Sequence, residues 1–267
     1  MSECNGANHN IPDNGGTFPW HLASFSGFLE IMKTLSSQVP NIDYKTTNND
    51  QYTALWLASQ QGHLETVKWL ISKQADVNAV RESDGRTALQ AAICNKNLSV
   101  VQELVEHAAD VNKINHKQFT PLYHAVELED LKIIKLLIDH GANVTAAGTS
   151  GDQPIHMAAF LSNILIMKIL FDHGASINAT SNIGNTLLHE VLWEGSKADP
   201  VAKLNAVKYL LTKSANPQTV NNEGKTAIDL AKTDFQEALP WLEHPENLLL
   251  LHQFESDLIG NFSYSEL

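Results

Sequence analysis

Apolar residues in this chain recur at helical spacing in short blocks that polar, glycine-containing turns separate. In one such block, Leu55 and Ala58 precede Gly62, and Val67 and Leu70 follow it three residues apart. Spacings of three and four place apolar side chains on one face of a helix. The pattern therefore predicts two short helices with a turn at Gly62 between them.

The first helix of this block has predicted ends. Thr53 stands where a side-chain oxygen caps a helix N-terminus, and Gly62 stands where a left-handed residue ends a helix. The helix between them is about two and a half turns long. Because so short a helix is not stable alone in water, neighbouring blocks are expected to stack and share a core.

The block returns along the chain at intervals of 35, 34, 33, 33, 33 and 40 residues, starting from Phe18. A nearly fixed period of this size indicates a stacked-repeat protein. We name the first helix of each repeat the inner helix and the second the outer helix. Two apolar columns of the outer helices are predicted to form the core. They are Met32, Val67, Val101, Ile134, Met167 and Val207, and Leu35, Leu70, Leu104, Leu137, Leu170 and Leu210.

The repeated phrases include TALWLASQQGHLETV from Thr53, TPLYHAVELEDLKII from Thr120 and the ending GASINA from Gly174. They resemble ankyrin repeats, and the resemblance covers about four fifths of the chain. It implies an all-α ankyrin-repeat solenoid of stacked helix-turn-helix units, with β-hairpin fingers between successive repeats. Residues 1–12 are then a polar N-terminal segment, 13–232 the array, and 233–267 a C-terminal capping helix or helices and tail.

Several positions depart from the ankyrin pattern. Lys96, Glu129 and Ser162 replace the glycine that ends the inner helix, and Gln51 and Gln118 replace the finger glycine. Because a side chain is strained at positive φ, we expect the middle repeats to depart from the ideal turn or to be less stable.

Two segments near the C-terminus leave alternatives open. About seven extra residues within 196–205 form either a surface loop or a lengthened helix start. The tail has two interpretations: a C-terminal cap of the stack, or a short sorting motif. The second is open because Glu246, Leu250 and Leu251 fit an acidic dileucine pattern.

Composition and charge exclude several classes of function. The chain has 267 residues, a net charge of −12 and no apolar run long enough to span a bilayer. Its acidity opposes binding to nucleic acid or anionic membranes. The opening MSECNGANHNIPD lacks the basic and apolar parts of a secretory signal, and two cysteines suit a reducing compartment. A cytoplasmic location is expected.

The histidines do not indicate catalysis or metal binding. His21, His156 and His189 occupy the T-P-L-H position, where the resemblance implies hydrogen bonds that tie adjacent loops together. The His189-Glu190 pair lacks a second histidine four residues on, because Trp193 stands there. Cys94 has no base-and-orienter pattern beside it. We predict no catalytic residue, no metal and no cofactor.

The positions that vary among ankyrin repeats are the finger tip and the end of the inner helix. The resemblance implies that they face a concave groove and set binding specificity. Large apolar groups gather there, as they do in interfaces, although some could fill gaps between imperfect repeats. The predicted partner-binding residues are Phe25, Tyr52, Arg86, Phe119, Leu128, Phe160, Leu161 and Trp193.

The sequence therefore predicts a non-catalytic adaptor, monomeric on its own, that binds a protein partner. It is either a bacterial effector that acts on host proteins in the host cytosol or a eukaryotic scaffold subunit. The alternative function is the binding or targeting subunit of an enzyme complex. Asn78, Asn112 and Asn178 are either hydroxylation acceptors, as in similar repeats, or side chains that bond the finger turn.

Overall fold

The computed structural model describes residues 11–39, 41–196 and 198–244. The regular secondary structure of these residues is almost entirely helical, which confirms the all-α fold class. The first eight helices are α1 (Pro19–Phe25), α2 (Leu29–Leu35), α3 (Ala54–Gln61), α4 (Leu64–Ser72), α5 (Ala88–Cys94), α6 (Leu98–Glu106), α7 (Pro121–Glu127) and α8 (Leu131–Asp139). The others are α9 (Pro154–Phe160), α10 (Ile164–Asp172), α11 (Leu187–Leu192), α12 (Pro200–Thr212), α13 (Ala227–Asp234) and α14 (Leu239–Leu242), with a 3₁₀ turn at Gln236–Ala238 before α14.

The helices form two compact units. The first unit ends at Ala125 and also includes Lys135–Ala142, and the second holds Val126–Ile134 and the chain from Asn143. In the first unit, α3 packs between α1 and α5, and α4 packs on α6. In the second, α11 contacts α9, α12 and α13, and the 3₁₀ turn and α14 cover α12 and α13.

The predicted ends of α3 are confirmed. The Thr53 hydroxyl oxygen accepts a hydrogen bond of 3.2 Å from the Trp56 backbone N–H, and Gly62 ends the helix at φ 80°. A similar cap begins α5, where Thr87 and Gln90 exchange side-chain and backbone hydrogen bonds. These caps satisfy backbone groups that a short helix leaves without an internal partner.

The two predicted core columns are confirmed as well. All twelve outer-helix residues of these columns are buried. Small inner-helix residues such as Ala58, Ala92 and Ala159 are also fully buried and allow neighbouring helices to approach closely. Each repeat therefore obtains its core from stacking, since its own two helices are too short to enclose one.

The fingers contain little regular β-structure. Instead of β-hairpins, the described residues contain two isolated bridges, Val80 with Thr87 and Thr180 with Thr186. Successive fingers are joined mainly through single backbone bonds, such as the 2.8 Å bond from the His116 N–H to the Asp84 carbonyl oxygen. The turn residues leave too little extended backbone on either side for a regular ladder.

The expected distortion of the middle repeats is wrong in its geometry. Lys96, Glu129 and Ser162 keep the left-handed turn, at φ 56°, 54° and 56°. Gln51 and Gln118 also keep it at the fingers, at φ 50° and 63°. The folded chain therefore maintains these turns despite the cost of a side chain at positive φ.

The inserted segment of the sixth repeat lengthens the outer helix. Helix α12 has 13 residues, whereas α10 has nine. Its start is fixed by Asp199, whose carboxylate accepts hydrogen bonds of 3.0 Å from the backbone N–H groups of Val201 and Ala202.

Beyond α12, the Lys208 ammonium lies 4.4 Å from the centre of the Trp241 ring in α14. This contact joins the last helix to the outer helix it covers. The dileucine pattern at Glu246, Leu250 and Leu251 lies outside the described residues.

Candidate binding site on the second unit

Four of the predicted partner-binding residues lie in the first unit, and only one of them is strongly exposed. Phe25, the last residue of α1, has 44% of its surface exposed. Phe119 is half-buried because its ring stacks on Tyr123 with centroids 4.0 Å apart. Arg86 is half-buried beside Asp84, with Nε 3.3 Å from the carboxylate.

Tyr52 is held by a cluster in which sequence reasoning missed one member, Arg81. The Arg81 guanidinium lies 5.6 Å from the centre of the Tyr52 ring and 5.0 Å from that of Trp56. It also forms ion pairs with Asp84 at 2.5 Å and Asp50 at 4.0 Å. The chain itself therefore supplies a cation for the Tyr52 and Trp56 rings.

The other four predicted residues lie in the second unit. Leu128, Phe160 and Leu161 are half-buried, whereas Trp193 has 41% of its surface exposed. The Phe160 carbonyl oxygen accepts a hydrogen bond of 2.7 Å from the Ser196 hydroxyl. The structure therefore separates the eight residues into several environments, from half-buried to exposed.

Trp193 is exposed because α11 ends early. This helix has only six residues, and Trp193 follows it with extended backbone, at ψ 131°. Gly195 stands at the position where Gly62 ends α3 in the second repeat, but it does not take a positive φ. The chain thus leaves the helix two residues sooner than in α3, and the indole ring lies outside the core.

Two cavities open on either side of the indole. One, of about 440 Å³, is also lined by Asn221, Lys225 and Leu230. The other, of about 280 Å³, is also lined by Asp152 and Glu190. Leu161 lines a third, separate cavity of about 510 Å³ on the same unit. We define the Trp193 site as Trp193 with the first two cavities.

The Trp193 site is acidic. Burial is the main cause that raises the pKa of Glu190 to about 7, and the nearby Asp152 carboxylate adds to this effect. Glu194, Glu223 and Asp234 line the larger cavity, where Lys225 is the cation. Negative charge therefore predominates around the indole ring at neutral pH.

A chain of amide hydrogen bonds connects the two cavities. Asn185 donates to the Glu190 carboxyl group at 3.0 Å, and Asn221 donates to the Asn185 side-chain oxygen at 2.9 Å. The Asn221 oxygen in turn accepts from the backbone N–H groups of Glu223 and Lys225. Asn185 and Lys225 are finger positions, so the network fixes two successive fingers beside Trp193.

The histidines of the T-P-L-H position are buried and bond the backbone. Nε2 of His21 donates to the Tyr44 carbonyl oxygen at 2.7 Å, and Nε2 of His189 to that of Lys225 at 3.0 Å. Gln90, which replaces histidine, donates through Nε2 to the Lys113 and Phe119 carbonyl oxygens. Both side-chain types tie an inner helix to the following finger.

Asn78 and Asn112, each of which follows a valine, form hydrogen bonds to the loop of the next repeat. Nδ2 of Asn78 donates to the Ala108 carbonyl oxygen, and its Oδ1 accepts from the Asp110 N–H at 2.8 Å. Asn112 donates to the Gly141 carbonyl oxygen at 3.1 Å.

Metal binding and membrane insertion find no support in the part of the chain that the structure describes. In these residues, no group of three or more His, Cys, Asp or Glu side chains could hold a metal ion. Among helices of the same described ranges, none is both long and apolar enough to cross a membrane.

Comparison with known proteins gives consistent matches. The family model described as "Ankyrin repeats (3 copies)" matches residues 2–81 and 75–148, and that described as "Ankyrin repeats (many copies)" matches 155–199. The chain is 30% identical over 105 residues to an ankyrin repeat protein of fowlpox virus. It is 36% identical over 120 residues to NF-kappa-B inhibitor alpha of Gallus gallus. These matches cover 39% and 43% of this chain but only 31% and 38% of those proteins.

Solved structures share the fold. The ankyrin repeat domain of Bcl-3 matches with a TM-score of 0.71 at 24% identity, over 86% of this chain and all of that one. An ankyrin repeat domain from Acinetobacter baumannii matches with a TM-score of 0.65 at 26% identity, over 72% of this chain and 97% of that one. Since the first family model alone covers more than half of the sequence, this chain belongs to the ankyrin-repeat family.

Proposed function

We propose that this chain is a non-catalytic adaptor that binds a segment of a partner protein at the Trp193 site. Ankyrin repeats generally mediate protein-protein interaction, and the exposed indole between two cavities is the observation that supports this site. A tryptophan ring buries a large area on binding at little cost in conformational entropy, and such rings dominate binding energies.

The chemistry of the site favours a partner segment with basic side chains. Asp152 and Glu190 line one cavity, and Glu194, Glu223 and Asp234 the other. A Lys or Arg side chain that enters beside Trp193 gains carboxylate partners such as Asp152 and Glu194, together with the face of the indole ring.

The cellular setting of the adaptor is a further part of the proposal. We place it in the cytoplasm, and a role as a bacterial effector in the host cytosol belongs to the same proposal. Similarity to an ankyrin repeat domain from Acinetobacter baumannii supports a bacterial setting, and similarity to NF-kappa-B inhibitor alpha supports a eukaryotic one. Sequencing the genomic neighbourhood of the coding region and assaying translocation into host cells would separate them.

Selection of binding peptides tests the Trp193 site directly. A displayed random-peptide library is selected on the immobilised chain, and enriched peptides are measured by calorimetry. We expect sequences that combine Lys or Arg with an apolar residue. Trp193→Ala is expected to weaken their binding at least about tenfold, since tryptophan hot spots contribute about 2 kcal/mol or more.

The matched control is Val201→Ala, which removes an exposed apolar side chain that lines neither cavity. It should leave the affinity unchanged. If selected peptides bind Trp193→Ala as tightly as the unaltered chain, the partner site lies elsewhere and the proposal is wrong. A far-UV circular dichroism spectrum of each variant verifies that the fold is intact.

A further inference from the structure

The smaller cavity of the Trp193 site combines apolar surface with carboxyl groups. Trp193 and Ile183 line it with exposed apolar side chains. Asp152 and Glu190 are the charged residues in its lining. Asn185 donates a hydrogen bond to Oε1 of Glu190, whereas Oε2 accepts none from the part of the chain that the structure describes. One oxygen of Glu190 can therefore accept a hydrogen bond from a ligand in this cavity.

The first unit shows how this chain satisfies a similar set of groups. There, the Arg81 guanidinium lies over the rings of Tyr52 and Trp56. It also pairs with the carboxylates of Asp50 and Asp84. The smaller cavity offers an indole ring and two carboxyl groups, but among the described residues that line it none carries a positive charge. It therefore resembles the Arg81 cluster without its guanidinium.

We infer that this cavity binds the guanidinium of an arginine in the partner segment, which stacks on Trp193, pairs with Asp152 and Glu190, and displaces the proton of Glu190. This inference rests on the proposed function of the Trp193 site and narrows it. A planar guanidinium stacks on aromatic rings and bonds two carboxylate oxygens at once, whereas an ammonium is a compact point charge. The guanidinium stays protonated throughout, so the Glu190 proton passes to the solvent and no other covalent bond changes.

The ionisation of Glu190 makes this recognition depend on pH. Burial is the main cause that raises the pKa of Glu190 to about 7, so below pH 7 the free chain holds this carboxyl group mostly protonated. A cation beside the carboxylate favours its charged form and lowers the pKa again. Binding therefore releases a proton and weakens as the pH falls below 7. If the bound state requires the carboxylate, the affinity at pH 6 is about one tenth of that at pH 8.

The other titratable groups around α11 do not account for such a pH dependence. Helix α11 packs on α9, α12 and α13. Apart from Glu190, the charged or titratable residues of these four helices are His156, His189, Lys203, Lys208, Asp229, Lys232 and Asp234. None of these seven lines the smaller cavity. Burial lowers the pKa of both histidines from 6.5, so they titrate at lower pH than Glu190.

Binding of n-butylguanidinium tests the pocket without any peptide. The carboxyl carbon of Glu190, identified as the NMR resonance that Glu190→Gln lacks, is titrated in the free chain and with about 50 mM of this cation. The titration midpoint should lie at about 7 in the free chain and at least about one pH unit lower with n-butylguanidinium. n-Butylammonium should move the midpoint less, and sodium chloride at equal ionic strength should leave it in place. A midpoint that n-butylguanidinium lowers no more than n-butylammonium does would overturn the inference.

Calorimetry with arginine-containing peptides selected on this chain measures the effect on recognition. The unaltered chain should bind them about tenfold more weakly at pH 6 than at pH 8, whereas Glu190→Gln should show less than about a twofold difference. Glu194→Gln is the matched control, because Glu194 lines the larger cavity. Whatever its affinity, this variant should keep the tenfold ratio between the two pH values.

The two measurements separate this inference from the proposed function. Peptides that lose affinity in Trp193→Ala but bind the unaltered chain equally at pH 6 and pH 8 would contradict the inference and leave the proposed function intact. Peptides that bind Trp193→Ala as tightly as the unaltered chain would contradict the proposed function, and the n-butylguanidinium titration then decides whether the arginine pocket exists.

Discussion

The side-chain amide of Asn185 donates a hydrogen bond of 3.0 Å to the carboxyl group of Glu190, in a part of the second unit where burial raises the pKa of that carboxyl group to about 7. An isolated glutamate has a pKa of 4.5. The hydrogen bond from Asn185 lowers the pKa but only partly offsets the effect of burial. The fold therefore favours the protonated form of Glu190.

The first prediction concerns Glu190→Gln. Below pH 4.5 the carboxyl group is neutral in both folded and unfolded chains, so the burial of Glu190 costs no charge. Between pH 4.5 and 7 the unfolded chain releases the Glu190 proton while the folded chain retains it, so the unaltered chain loses about 3 kcal/mol of stability over this range. The variant, which can still accept the Asn185 bond, should be more stable than the unaltered chain at pH 8 and equally stable at pH 4.

Urea unfolding at the two pH values measures this difference. The exposed Glu65, changed to glutamine, is the matched control and should show no such pH-dependent gain. If Glu190→Gln changed the free energy of unfolding equally at pH 4 and pH 8, ionisation of Glu190 would not destabilise the folded chain, and the prediction would be wrong.

The second prediction concerns acid stability and His21. Burial lowers the pKa of His21 to about 4, from 6.5 for a free side chain. When the pH falls from 6.5 to 4, the unfolded chain binds a proton that the folded chain does not, so about 3 kcal/mol of stability is lost. His21→Gln should remove this loss, because Gln90 makes the corresponding bonds in the third repeat without titrating.

The melting temperature, measured at several pH values between 7 and 4, tests this predicted loss of stability. The control is His140→Gln, which changes an exposed histidine and should leave the pH dependence as it was. If acidification lowered the melting temperature of His21→Gln as much as that of the unaltered chain, His21 would not be the cause of the lost stability.

The third prediction concerns the left-handed turn at Ser162. This residue has φ 56°, and its buried hydroxyl has no hydrogen-bond partner in the described part of the chain. Ser162→Gly relieves the backbone strain, whereas Ser162→Ala removes only the hydroxyl. We expect the glycine variant to be the more stable of the two by about 0.5–1 kcal/mol, as measured by urea unfolding. Equal stability would mean that the turn is not strained.

The fourth prediction concerns the bonds between successive repeats. The Asn97 side chain donates hydrogen bonds of 3.0 and 2.9 Å to the carbonyl oxygens of Ser59 and Gln60. Both acceptors lie near the end of α3. Asn97→Ala should lower the free energy of unfolding by about 1–2 kcal/mol. Asn97→His should restore much of it, because His63 bonds Phe25 from the equivalent position. No difference between the alanine and histidine variants would exclude this role.

Much of the fold follows from local sequence. The columns that contain Val67 and Leu70 are buried as predicted, because a 33-residue period leaves each outer helix in the same register. The caps at Thr53 and Thr87 also follow from short-range chemistry. By contrast, the turn at Ser162 could not be judged from its residue type, since stacking holds a side chain at positive φ against its local preference.

The candidate site was predictable only in part. The variable positions of the repeat indicated Trp193 but gave Phe119 equal weight, and Phe119 lies stacked on Tyr123. Arg81 carries no motif that would mark it as the partner of Tyr52. These differences arise from contacts between side chains in the folded chain, which periodicity does not resolve.

The sequence by itself determined the repeat, the two core columns and the family, because these depend on spacing that every helix pair must satisfy. Only the tertiary structure decided which apolar residues remain exposed. The early end of α11 placed Trp193 beside its two cavities, whereas Phe119 became stacked on Tyr123. Exposure depends on the neighbours that a side chain acquires in the folded chain, and no single repeat specifies its neighbours.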